Sequence, residues 1–567
     1  MPIRPVKPVP APTDAITSGM AIVEQLIANG VDTVFGLPGA QMYGLFDALQ
    51  QRSDRIRTYG ARHEQGCGYM AFGYARSTGR PGVYSVVPGP GLLNTTAALC
   101  TAHGCATPIL CITGQVPTQF LDRGRGHLHE LKDQLAAVAG FTKWTARIER
   151  PADAPRVINE AFRQMLTGRP GAVVVEMAWD LFTAKDHILT LPRAVIEPPL
   201  PPSPIEIERA AKLIAAARQP MIFTGSGAQH ASATVRALAE ELDAPVTAMR
   251  GGRGVMPEDH VLGLSGYAAY TLWPTVDVAI GIGSRMEMPL MRWDNMMVLN
   301  DKPSPPPHII RIDIDPAELR RLVPHAGIVA DAAAGTTALL DAVRKLRAKP
   351  TKAASTTARA RLTEVSKQTR AAYSTVQPQI AYLDVIRACL PRHGIFVTEL
   401  SQMGFASYFG YPVYEPRTYI SEGFQGTLGF GFPTALGVKI AHPDKPVVSV
   451  TGDGGFMFAV QELATAAQEN IPLVTLVFNN HAFGNVLRDQ QVGFGNRIIG
   501  SVLKNPDFLA LAAAFDVEGH RVDSPEALRP VLTRALTSQK PVLIEVAVEQ
   551  GSETTPWPFI TPKRAPR

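Results

Sequence analysis

Short apolar runs that do not alternate with polar residues recur in every third of the chain, and each is followed by a glycine-bearing turn and an amphipathic helical segment. Strands that are apolar on both faces are typical of parallel sheets covered by helices on both sides. The pattern therefore predicts an α/β fold of three consecutive doubly wound parallel-sheet domains. The predicted strands cover residues 32–36, 82–87 and 107–114 in the first third, 220–225, 276–283 and 308–315 in the second, and 394–399, 445–454, 471–478 and 540–548 in the last.

Two shifts in composition divide the chain. Residues 190–204 are rich in proline and are interpreted as an extended linker, whereas residues 346–379 are basic, rich in Ser and Thr, and suited to a surface helix. A chain of 567 residues suits three or four domains at about 100–200 residues each. We predict domains over residues 1–190, 200–345 and 375–550, with a C-terminal tail over 551–567.

Composition excludes several classes of function. Apolar residues make up 46% of the chain, too many for a disordered protein. The formal net charge of +5 is spread along the chain, so it favours neither nucleic acid nor lipid, and a small molecule is the expected partner. No apolar stretch approaches the ~18 residues of a membrane span, and the proline-rich start lacks the apolar core of a secretory signal. The five cysteines form no C-x-x-C pair, which suits reduced thiols, so we expect a soluble cytoplasmic protein.

The strongest chemical signal lies between residues 446 and 484. A predicted strand ends in Gly452-Asp453-Gly454-Gly455, a predicted helix over 456–470 follows, and the next strand ends in Asn479-Asn480. If the two strands are neighbours, they lie about 4.8 Å apart, and Asp453 and Asn480 can bracket one ion. Carboxylate, amide and carbonyl oxygens suit Mg²⁺ or Ca²⁺ and are poor ligands for zinc.

A diphosphate would complete this arrangement. Mg²⁺ commonly fills its octahedral shell with phosphate oxygens and water where the protein supplies only some of the ligands. The glycines let a diphosphate approach the backbone, and the N-terminus of the following helix favours its negative charge. The alternative is structural: Asp453 caps the helix and Asn480 serves a turn, an interpretation that suits either residue alone better than the pair.

The spacing of Gly452-Asp453-Gly454, the intervening residues 455–478 and Asn479-Asn480 resembles the metal–diphosphate motif of thiamine diphosphate enzymes. FGLPGA (35–40), ARHEQGCGYMAFGYAR (61–76) and VVPGPGLLNTTAAL (86–99) resemble the pyrimidine-binding domain of the acetolactate synthase, pyruvate oxidase and decarboxylase group. The motifs occur in the family's order, and the resemblance covers nearly the whole chain. It implies that residues 1–190 bind the pyrimidine, that residues 200–345 form a central Rossmann-like domain, and that residues 375–550 bind the diphosphate and Mg²⁺.

The resemblance assigns roles to Glu64, Gly426 and Leu428. In the family the cofactor's own aminopyrimidine removes a proton from the thiazolium ring, assisted by a glutamate hydrogen-bonded to the pyrimidine. Glu64 matches that glutamate, and the small and apolar residues around it predict a largely desolvated carboxyl group; otherwise it is an ordinary surface glutamate at a helix start. The segment 423–437 matches the support of the bent cofactor, with Leu428 as the wedge between its rings and the Gly426 carbonyl accepting from the 4′-amino group.

Further site residues are carried over by the same resemblance. Gln41 and His129 are candidate catalytic residues beside Glu64, because His127 and His129 fall where family members keep a polar active-site residue; a solvated histidine pair is the alternative. Ala482 would give its backbone carbonyl to the metal. The implied metal ligands are Asp453, Asn480 and Ala482, and the implied cofactor-binding residues are Pro38, Glu64, Asn94, Ser401, Gln402, Gly426, Leu428, Gly452, Asp453, Gly454, Gly455, Asn480, Ala482, Phe483 and Gly484.

The resemblance also implies an assembly and a central domain of open function. In the family the cofactor lies between the pyrimidine domain of one subunit and the diphosphate domain of another, so a homodimer or a homotetramer is expected. GSGAQH (225–230) is a broken G-x-G-x-x-G motif in which His230 replaces the third glycine, so the motif is a weak signal. RGGRGVMPEDH (250–260) and IIRIDIDPAEL (309–319) resemble a flavin-bearing central domain. FAD, an adenine nucleotide or coenzyme A tail, and an empty structural domain all stay open.

The expected reaction makes or breaks a C–C bond next to a carbonyl. An acetolactate synthase-like carboligase or decarboxylase acting on 2-oxo acids is the first hypothesis, a 2-hydroxyacyl-coenzyme A lyase releasing an aldehyde or ketone and formyl-coenzyme A is the second, and an inactive regulatory protein is a remote third. Two departures from acetolactate synthases count here: the stretch after Asn480 lacks their tryptophan, and the tail SETTPWPFITPKRAPR differs. The sequence leaves the donor, the acceptor and the direction of the reaction open.

Overall fold

The structure, a computed structural model, describes residues 15–293, 307–346 and 352–563. These residues form three six-stranded sheets, each parallel throughout, and one two-stranded antiparallel ribbon. Helices follow the strands along the chain, which confirms the predicted class of three consecutive doubly wound α/β domains. By its internal contacts the chain divides into two compact units, one of residues 15–75 and 80–197 and one of residues 76–79 together with those from 198 onward.

The first unit contains one of the three large sheets, in the order β3-β2-β4-β5-β7-β6, and the β1–β8 ribbon. Its core is built from apolar side chains on both faces of the sheet, as the unalternating runs predicted. The strands are β1 (Ile16–Thr17), β2 (Thr33–Gly36), β3 (Arg57–Gly60), β4 (Gly82–Val86), β5 (Ile109–Gln115), β6 (Trp144–Ile148), β7 (Val173–Ala178) and β8 (Lys185–Asp186). The helices are α1 (Ser18–Ala28), α2 (Tyr43–Gln51), α3 (Glu64–Thr78), α4 (Pro90–Asn94), α5 (Thr96–Gly104), α6 (Gln134–Ala139), α7 (Ala154–Leu166) and α8 (Trp179–Thr183).

The second unit contains two large sheets, in the orders β11-β10-β9-β12-β13-β14 and β16-β15-β17-β18-β20-β19. Each has its own apolar core. The strands are β9 (Pro220–Thr224), β10 (Val246–Thr247), β11 (Gly263–Leu264), β12 (Val278–Ile282), β13 (His308–Asp313), β14 (Ala326–Val329), β15 (Ile395–Thr398), β16 (Tyr419–Ile420), β17 (Val447–Gly452), β18 (Val474–Asn479), β19 (Glu518–Val522) and β20 (Val542–Ala547). The helices are α9 (Pro204–Ala216), α10 (Ser232–Leu242), α11 (Gly266–Leu272), α12 (Pro316–Arg321), α13 (Ala332–Leu346), α14 (Lys352–Tyr373), α15 (Gln379–Cys389), α16 (Gln402–Gly410), α17 (Gly431–Ala441), α18 (Asp453–Met457), α19 (Glu462–Gln468), α20 (Gly484–Gly493), α21 (Phe508–Ala514), α22 (Pro525–Ala535) and α23 (Trp557–Ile560).

The order of strands places one crevice in each sheet. In every sheet the chain runs outward on one side and then crosses to the other, so the switch falls between β2 and β4, between β9 and β12, and between β15 and β17. Ligands of open α/β sheets bind outside the carboxyl ends of the strands at such a switch point. The loops that follow these strands are therefore the places to look for a site.

The two predicted connecting segments are seen as well. Residues 187–203 adopt neither helix nor strand, as expected of an extended linker. The basic segment after the second sheet contains α14, which is largely exposed and buries only a few side chains. Across the described residues no helix combines the length and the hydropathy that crossing a lipid bilayer requires.

One predicted element is wrong. The single helix predicted over residues 456–470 is two short helices, α18 and α19, separated by a turn. The N–H groups of Phe458 and Ala459 bond to carbonyls three residues back instead of four, so the first helix tightens and ends there. The carboxylate of Glu462 is fully buried at the start of the second helix and accepts a hydrogen bond from the Thr465 hydroxyl at 2.6 Å.

Candidate functional site

In the first unit, the loops after β2 and β4 meet at the switch point of their sheet. A Cβ atom on Gly39 would overlap the side chain of Val87, so the two loops can approach this closely only because Gly39 has no side chain. Pro38, which precedes Gly39, is exposed at this point. The predicted pyrimidine residue therefore lies on the crevice and is free to contact a ligand.

Glu64 and Asn94 form a pair. Glu64 is the first residue of α3, Asn94 is the last residue of α4, and the Asn94 amide donates a hydrogen bond to Glu64 Oε2 at 3.0 Å. Glu64 Oε1 lies against Gly91, where an added Cβ would be 3.5 Å away. Within the first unit Glu64 is half-buried. The expectation of a largely desolvated carboxyl group is not met, because part of Glu64 stays exposed.

The side chains of Gln41 and His129 are hydrogen-bonded to each other. Gln41 is fully buried, its Nε2 donates to the Leu128 carbonyl at 2.7 Å, and its Oε1 lies 2.7 Å from Nδ1 of His129. His129 is half-buried, and its backbone has a positive φ of 65°. The carbonyl of His129 packs against Gly89, where a Cβ would lie only 2.6 Å away. The two predicted catalytic candidates therefore occupy one place, beside the loop that follows β4.

A buried polar network that sequence analysis missed supports this loop. Glu176 on β7 is fully buried, forms an ion pair with Arg147 at 2.5 Å and accepts a hydrogen bond from Gln134 at 2.8 Å. Gln134 in turn accepts the N–H of Gly89 at 2.7 Å. Burial raises the pKa of Glu176, and the ion pair with Arg147 only partly offsets this effect. Through Gln134, the network fixes the position of the Gly89 backbone.

In the second unit, the strands that carry the metal–diphosphate residues are neighbours, as predicted. β17 and β18 pair in parallel with Gly452 opposite Phe478, so Asp453 and Asn480 leave the same edge of the sheet. Asp453 is almost fully buried; its Oδ1 accepts the Gly454 N–H at 2.9 Å and its Oδ2 accepts from Asn505 Nδ2 at 2.7 Å. Burial raises the pKa of Asp453, and these hydrogen bonds lower it in part. A cation beside this carboxylate would favour its charged form.

Asn480 and Ala482 lie on a tight turn beside Asp453. Asn480 Nδ2 donates to Glu553 Oε2 at 2.5 Å, and Asn480 Oδ1 accepts the Ala482 N–H at 3.1 Å. Ala482 bridges Val502 in an antiparallel pair whose two hydrogen bonds are made by its neighbours His481 and Phe483. Because the N–H and C=O of one extended residue point to the same side, the Ala482 carbonyl faces the same side as Asn480. The carboxylate, amide and carbonyl can therefore supply oxygen ligands at one edge of the sheet.

The glycines of this motif have no room for a side chain. A Cβ on Gly454 would overlap the ring of Phe483, and a Cβ on Gly455 would overlap the carboxylate of Glu399. A Cβ on Gly452 would come within 3.3 Å of the Ser401 side chain, across the switch point between β15 and β17. The motif thus brings bare backbone to the crevice, as a diphosphate requires.

Gln402 offers an unused donor at the same crevice. Ser401 caps α16 by accepting the Gly404 N–H at 3.0 Å, which places Gln402 in the first turn. Gln402 is 5% exposed, and its Oε1 accepts from both terminal nitrogens of Arg488 at 3.2 Å. Its Nε2 is buried and has no hydrogen-bond partner within the described chain. An orphaned donor of this kind costs free energy unless a ligand satisfies it.

The loop after β16 carries the predicted wedge. Gly426 has a positive φ of 57° and packs against Leu400, which makes glycine the favoured residue there. Leu428 is half-buried instead of sealed in the core. Composition alone favours a core position for Leu428, and the observed exposure leaves part of its side chain available to a ligand. The loop begins at Gly423, whose carbonyl accepts a hydrogen bond from Arg250 at 2.6 Å.

Glu399 is a buried carboxyl group that sequence analysis did not single out. It is 1% exposed, accepts the Gly431 N–H at 2.7 Å and accepts a hydrogen bond from the Thr451 hydroxyl. Burial raises the pKa of Glu399 to about 7, although these hydrogen bonds oppose the change; the nearby Glu422 carboxyl adds to it. The Glu399 carboxylate lies against Gly455, so its protonation state affects the diphosphate motif at that glycine.

The glycines of the central sheet have a packing explanation. The loops after β9 and β12 touch backbone to backbone, with Gly227 N–H donating to the Gly283 carbonyl at 3.2 Å and a Cβ on Gly225 overlapping Gly283. His230 replaces the third glycine of the broken motif, and its Nε2 lies 2.6 Å from Asp331 Oδ2. The sheet has the strand order of dinucleotide-binding domains. Nucleotide binding here stays a prediction.

Metal clusters of the usual amino-acid type are not found elsewhere. No group of three His, Cys, Asp or Glu side chains that could hold an ion occurs in residues 15–293, 307–346 and 352–563. The mixed oxygen set of Asp453, Asn480 and Ala482 is of another kind, because it joins one carboxylate to an amide and a backbone carbonyl. A site with so few protein oxygens suits Mg²⁺ completed by phosphate.

Comparison with known protein families shows which family this chain belongs to. Sequence models of the thiamine pyrophosphate enzymes match the chain three times: the N-terminal binding domain at residues 16–137, the central domain at residues 207–339 and the C-terminal binding domain at residues 400–546. The chain belongs to the thiamine pyrophosphate enzymes. It is an enzyme that uses thiamine diphosphate and acts on carbonyl compounds, which confirms the resemblance found in the sequence.

Three relatives illustrate the breadth of this thiamine pyrophosphate enzyme group. A probable 2-ketoarginine decarboxylase of Pseudomonas aeruginosa is 33% identical, over 91% of this chain and 91% of its own length. A probable acetolactate synthase large subunit of Methanocaldococcus jannaschii is 34% identical, over 93% of this chain and 91% of its own. The large subunit of acetolactate synthase isozyme 1 of Escherichia coli is 30% identical, over 97% and 96%.

Proposed function

We propose that this protein is a thiamine diphosphate- and Mg²⁺-dependent carboligase or decarboxylase that makes or breaks a C–C bond next to the carbonyl of a 2-oxo acid. The observation that carries the proposal is the orphaned Gln402 Nε2, together with Asp453 and Asn480 at the ends of two neighbouring parallel strands. The names of the relatives, decarboxylase and acetolactate synthase, support 2-oxo acids over coenzyme A esters as substrates.

The residues of the second unit fit a metal-bound diphosphate. Asp453 Oδ, Asn480 Oδ1 and the Ala482 carbonyl are hard oxygens that would hold Mg²⁺, and bare backbone at Gly452 and Gly454 would lie against phosphate oxygens. Ser401 and Gln402 reach the crevice from the neighbouring strand, and Gln402 Nε2 would donate to a phosphate oxygen. Phe483 and Gly484 close the turn that follows Asn480.

The residues of the first unit fit the pyrimidine ring. When bound, thiamine diphosphate supplies the nucleophilic carbon and the electron sink of the reaction. Glu64 would hydrogen-bond the ring nitrogen and hold a proton there, with Asn94 fixing the position of its carboxylate through the 3.0 Å hydrogen bond. Pro38 would pack beside the ring.

Two residues of the second unit would support the bent cofactor. Leu428 would hold the two rings in a bent arrangement, and the Gly426 carbonyl would accept from the amino group.

His129 and Gln41 would face the substrate. Gln41 holds Nδ1 of His129 as a donor, because its amide nitrogen is already engaged by the Leu128 carbonyl. The other ring nitrogen, Nε2, is then the proton acceptor of a neutral imidazole. A substrate carboxylate or carbonyl oxygen near Nε2 would be oriented and, when the ring is protonated, stabilised.

If the cofactor site is divided between two domains of different subunits, the protein must form an oligomer. We propose a homodimer or homotetramer, in which residues 1–190 of one subunit bind the pyrimidine and residues 375–550 of another bind the diphosphate and Mg²⁺. Residues 200–345 would connect them, and the C-terminal tail, of which the structure describes residues 551–563, would lie over the diphosphate end. The contact between Glu553 and Asn480 supports the last assignment.

A carbonyl-donor screen tests the proposed reaction. The protein, supplied with thiamine diphosphate and Mg²⁺, is offered 2-oxo acids and 2-hydroxyacyl-coenzyme A esters, and the products are read by mass spectrometry. Release of carbon dioxide or formation of an acyloin from a 2-oxo acid is expected, and Asp453→Ala serves as the inactive control. Formation of formyl-coenzyme A together with an aldehyde or ketone, with no product from any 2-oxo acid, would establish the lyase alternative instead. No product from either class, with the cofactor bound, would contradict the proposal.

A further inference from the structure

We propose that Glu553 and Arg488 are positioning residues that decide which atom each of two site amides, Asn480 and Gln402, presents to the cofactor. The inference rests on the proposed function, since it concerns the metal and diphosphate end of that site. Neither residue belongs to the motifs that identify the family. Glu553 is in the C-terminal segment and Arg488 is on α20.

Glu553 sets the orientation of Asn480. The Glu553 side chain is 9% exposed, and its Oε2 accepts a hydrogen bond from Asn480 Nδ2 at 2.5 Å. A carboxylate can only accept, so it fixes the nitrogen of the amide on its own side. The amide oxygen of Asn480 is therefore turned away from Glu553, where it accepts the Ala482 N–H at 3.1 Å, and this oxygen is the atom that a cation needs.

Arg488 sets the orientation of Gln402 in the opposite sense. Both terminal nitrogens of Arg488 donate to Gln402 Oε1 at 3.2 Å. A guanidinium can only donate, so it fixes the amide oxygen on its own side and leaves Nε2 without a partner in the crevice. The unsatisfied end of Gln402 is thus a donor, which is what a phosphate oxygen needs.

The two positioning residues are themselves connected. Arg488 Nη2 donates to the backbone carbonyl of Glu553 at 3.0 Å. Gly484 fits between the amides, and a Cβ there would lie 2.7 Å from Asn480 Nδ2 and 3.5 Å from both Gln402 Cγ and Glu553 Oε2. One acid and one base therefore turn two neighbouring amides to opposite polarity, as a cation and an anion bound side by side require.

The segment that carries Glu553 is anchored at two places that follow Glu553 in the chain. Before α23, the Thr554 N–H donates to the Gln377 carbonyl and its own carbonyl accepts from Gln379 Nε2, each at 2.8 Å. In α23, Trp557 Nε1 donates to Asn485 Oδ1 at 2.6 Å. These anchors hold Glu553 in place without touching Asn480. The segment can therefore be loosened at Trp557 while the Glu553–Asn480 contact is left unaltered, which separates anchoring from positioning.

Calorimetric titration of Mg²⁺ into the full-length protein, at saturating thiamine diphosphate, tests the inference. Partners that orient metal ligands typically contribute about 10–100-fold to metal affinity. Glu553→Ala should therefore weaken Mg²⁺ binding at least about 10-fold. Glu553→Gln keeps an acceptor for Asn480 Nδ2 and should restore most of the affinity. Arg488→Met should weaken thiamine diphosphate binding more than Mg²⁺ binding, because it releases Gln402.

Trp557→Phe is the matched control, since it removes an anchor of the same segment but not the contact with Asn480. Unchanged Mg²⁺ affinity in Glu553→Ala would overturn the inference, as would an equal loss in Trp557→Phe or a failure of Glu553→Gln to restore binding. Thermal unfolding of each apo variant is measured alongside, and if Glu553→Ala is less stable, the comparison of Glu553→Gln with Trp557→Phe decides. Absence of thiamine diphosphate binding by the wild-type protein would instead overturn the proposed function.

Discussion

Nδ1 of His129 lies 2.7 Å from Oε1 of Gln41, although the two residues are 88 positions apart in the sequence. Gln41 is fully buried and its amide nitrogen is already used by Leu128, so the direction of the contact is fixed: the imidazole donates. Two candidates that the sequence suggests separately thus form one hydrogen-bonded pair. The pair lies beside the loop after β4, at the crevice of the first sheet.

This pairing predicts a non-additive double mutant. Gln41→Leu removes the acceptor that orients His129 and should lower kcat, as His129→Ala does. The double variant should be no worse than His129→Ala alone, because residues acting as a unit do not contribute independently. Steady-state kinetics on the best 2-oxo acid measures this. Gln51→Leu, on the same stretch of chain but bonded only to Asp47, should add nothing; full additivity of Gln41→Leu and His129→Ala would refute the pairing.

Glu64→Gln should lower kcat by at least about 100-fold while leaving most thiamine diphosphate binding in place. The amide keeps the shape of the side chain and can still bond Asn94, but it cannot hold and release a proton. Turnover and cofactor titration are measured in parallel. Glu149→Gln, an exposed glutamate of the same unit, is the control and should behave as wild type. A Glu64→Gln variant with full activity would contradict the assigned role.

Glu399 predicts a pH dependence of stability. Its pKa is about 7 in the folded protein, against an ordinary value of 4.5, because burial penalises the charge. The folded state therefore binds more protons than the unfolded state between these pH values, and stability falls as the pH rises through this window. The shift corresponds to roughly 3 kcal/mol.

Glu399→Gln should remove that slope. The amide is uncharged at every pH, so the unfolding temperature of the apo protein should change less between pH 5 and pH 8 than in the wild type. Thermal unfolding at several pH values checks the result. Glu549→Gln, which is exposed, should leave the wild-type slope intact. An unaltered slope in Glu399→Gln would show that another group titrates.

Gly484→Ala should weaken Mg²⁺ binding by about 10-fold, because the new Cβ would lie 2.7 Å from Asn480 Nδ2 and must displace it. Gly493, at the other end of α20, has open space around it. Gly493→Ala should leave Mg²⁺ binding unchanged and stabilise the helix by up to about 1 kcal/mol. The two variants are compared by calorimetry and thermal unfolding. Equal Mg²⁺ affinity in both would mean that Asn480 is not held where the structure has it.

Arg250→Met should destabilise the protein by about 3 kcal/mol and lower turnover as well. Arg250 is buried, forms an ion pair with Glu287 at 2.5 Å and holds the Gly423 carbonyl at the start of the loop that carries Leu428. Its removal takes one of two arginine partners from Glu287, which keeps Arg292, and loosens that loop. Arg209→Met, which breaks an exposed pair with Glu206, should cost less than about 1 kcal/mol. Urea unfolding and kinetics distinguish the two.

The fold was accessible to sequence analysis because buried parallel strands have a strong signature. The runs that end at Gly36, Thr224 and Gly452 are apolar on both faces, and each is a central strand in the structure. Strands with weaker signatures were not predicted, such as β3 and β19, whose residues are partly exposed at the margins of their sheets. The helix predicted over residues 456–470 failed because periodicity does not report the local tightening at Phe458.

The site was accessible only where its residues follow a strand. Asp453 and Asn480 end adjacent strands, so their spacing in the sequence reports their proximity. Asn505, which donates to both Asp453 and Asn479, lies in a loop, and Glu553 comes from the C-terminal segment. Contacts made by irregular segments depend on tertiary packing and leave no periodic signal. Only the charge of Glu553 in an otherwise neutral stretch, SETTPWPFIT, offered a hint.

The sheet of the first unit and the last sheet of the second unit share one strand order, with the second strand of each leading pair on the outside and the crossover at the same place. Under the proposed function, one scaffold would serve twice, once for the pyrimidine ring and once for the diphosphate. Chemical identity resides in the connecting segments alone. Redesign of this enzyme can therefore exchange those segments while the two frameworks beneath them stay untouched.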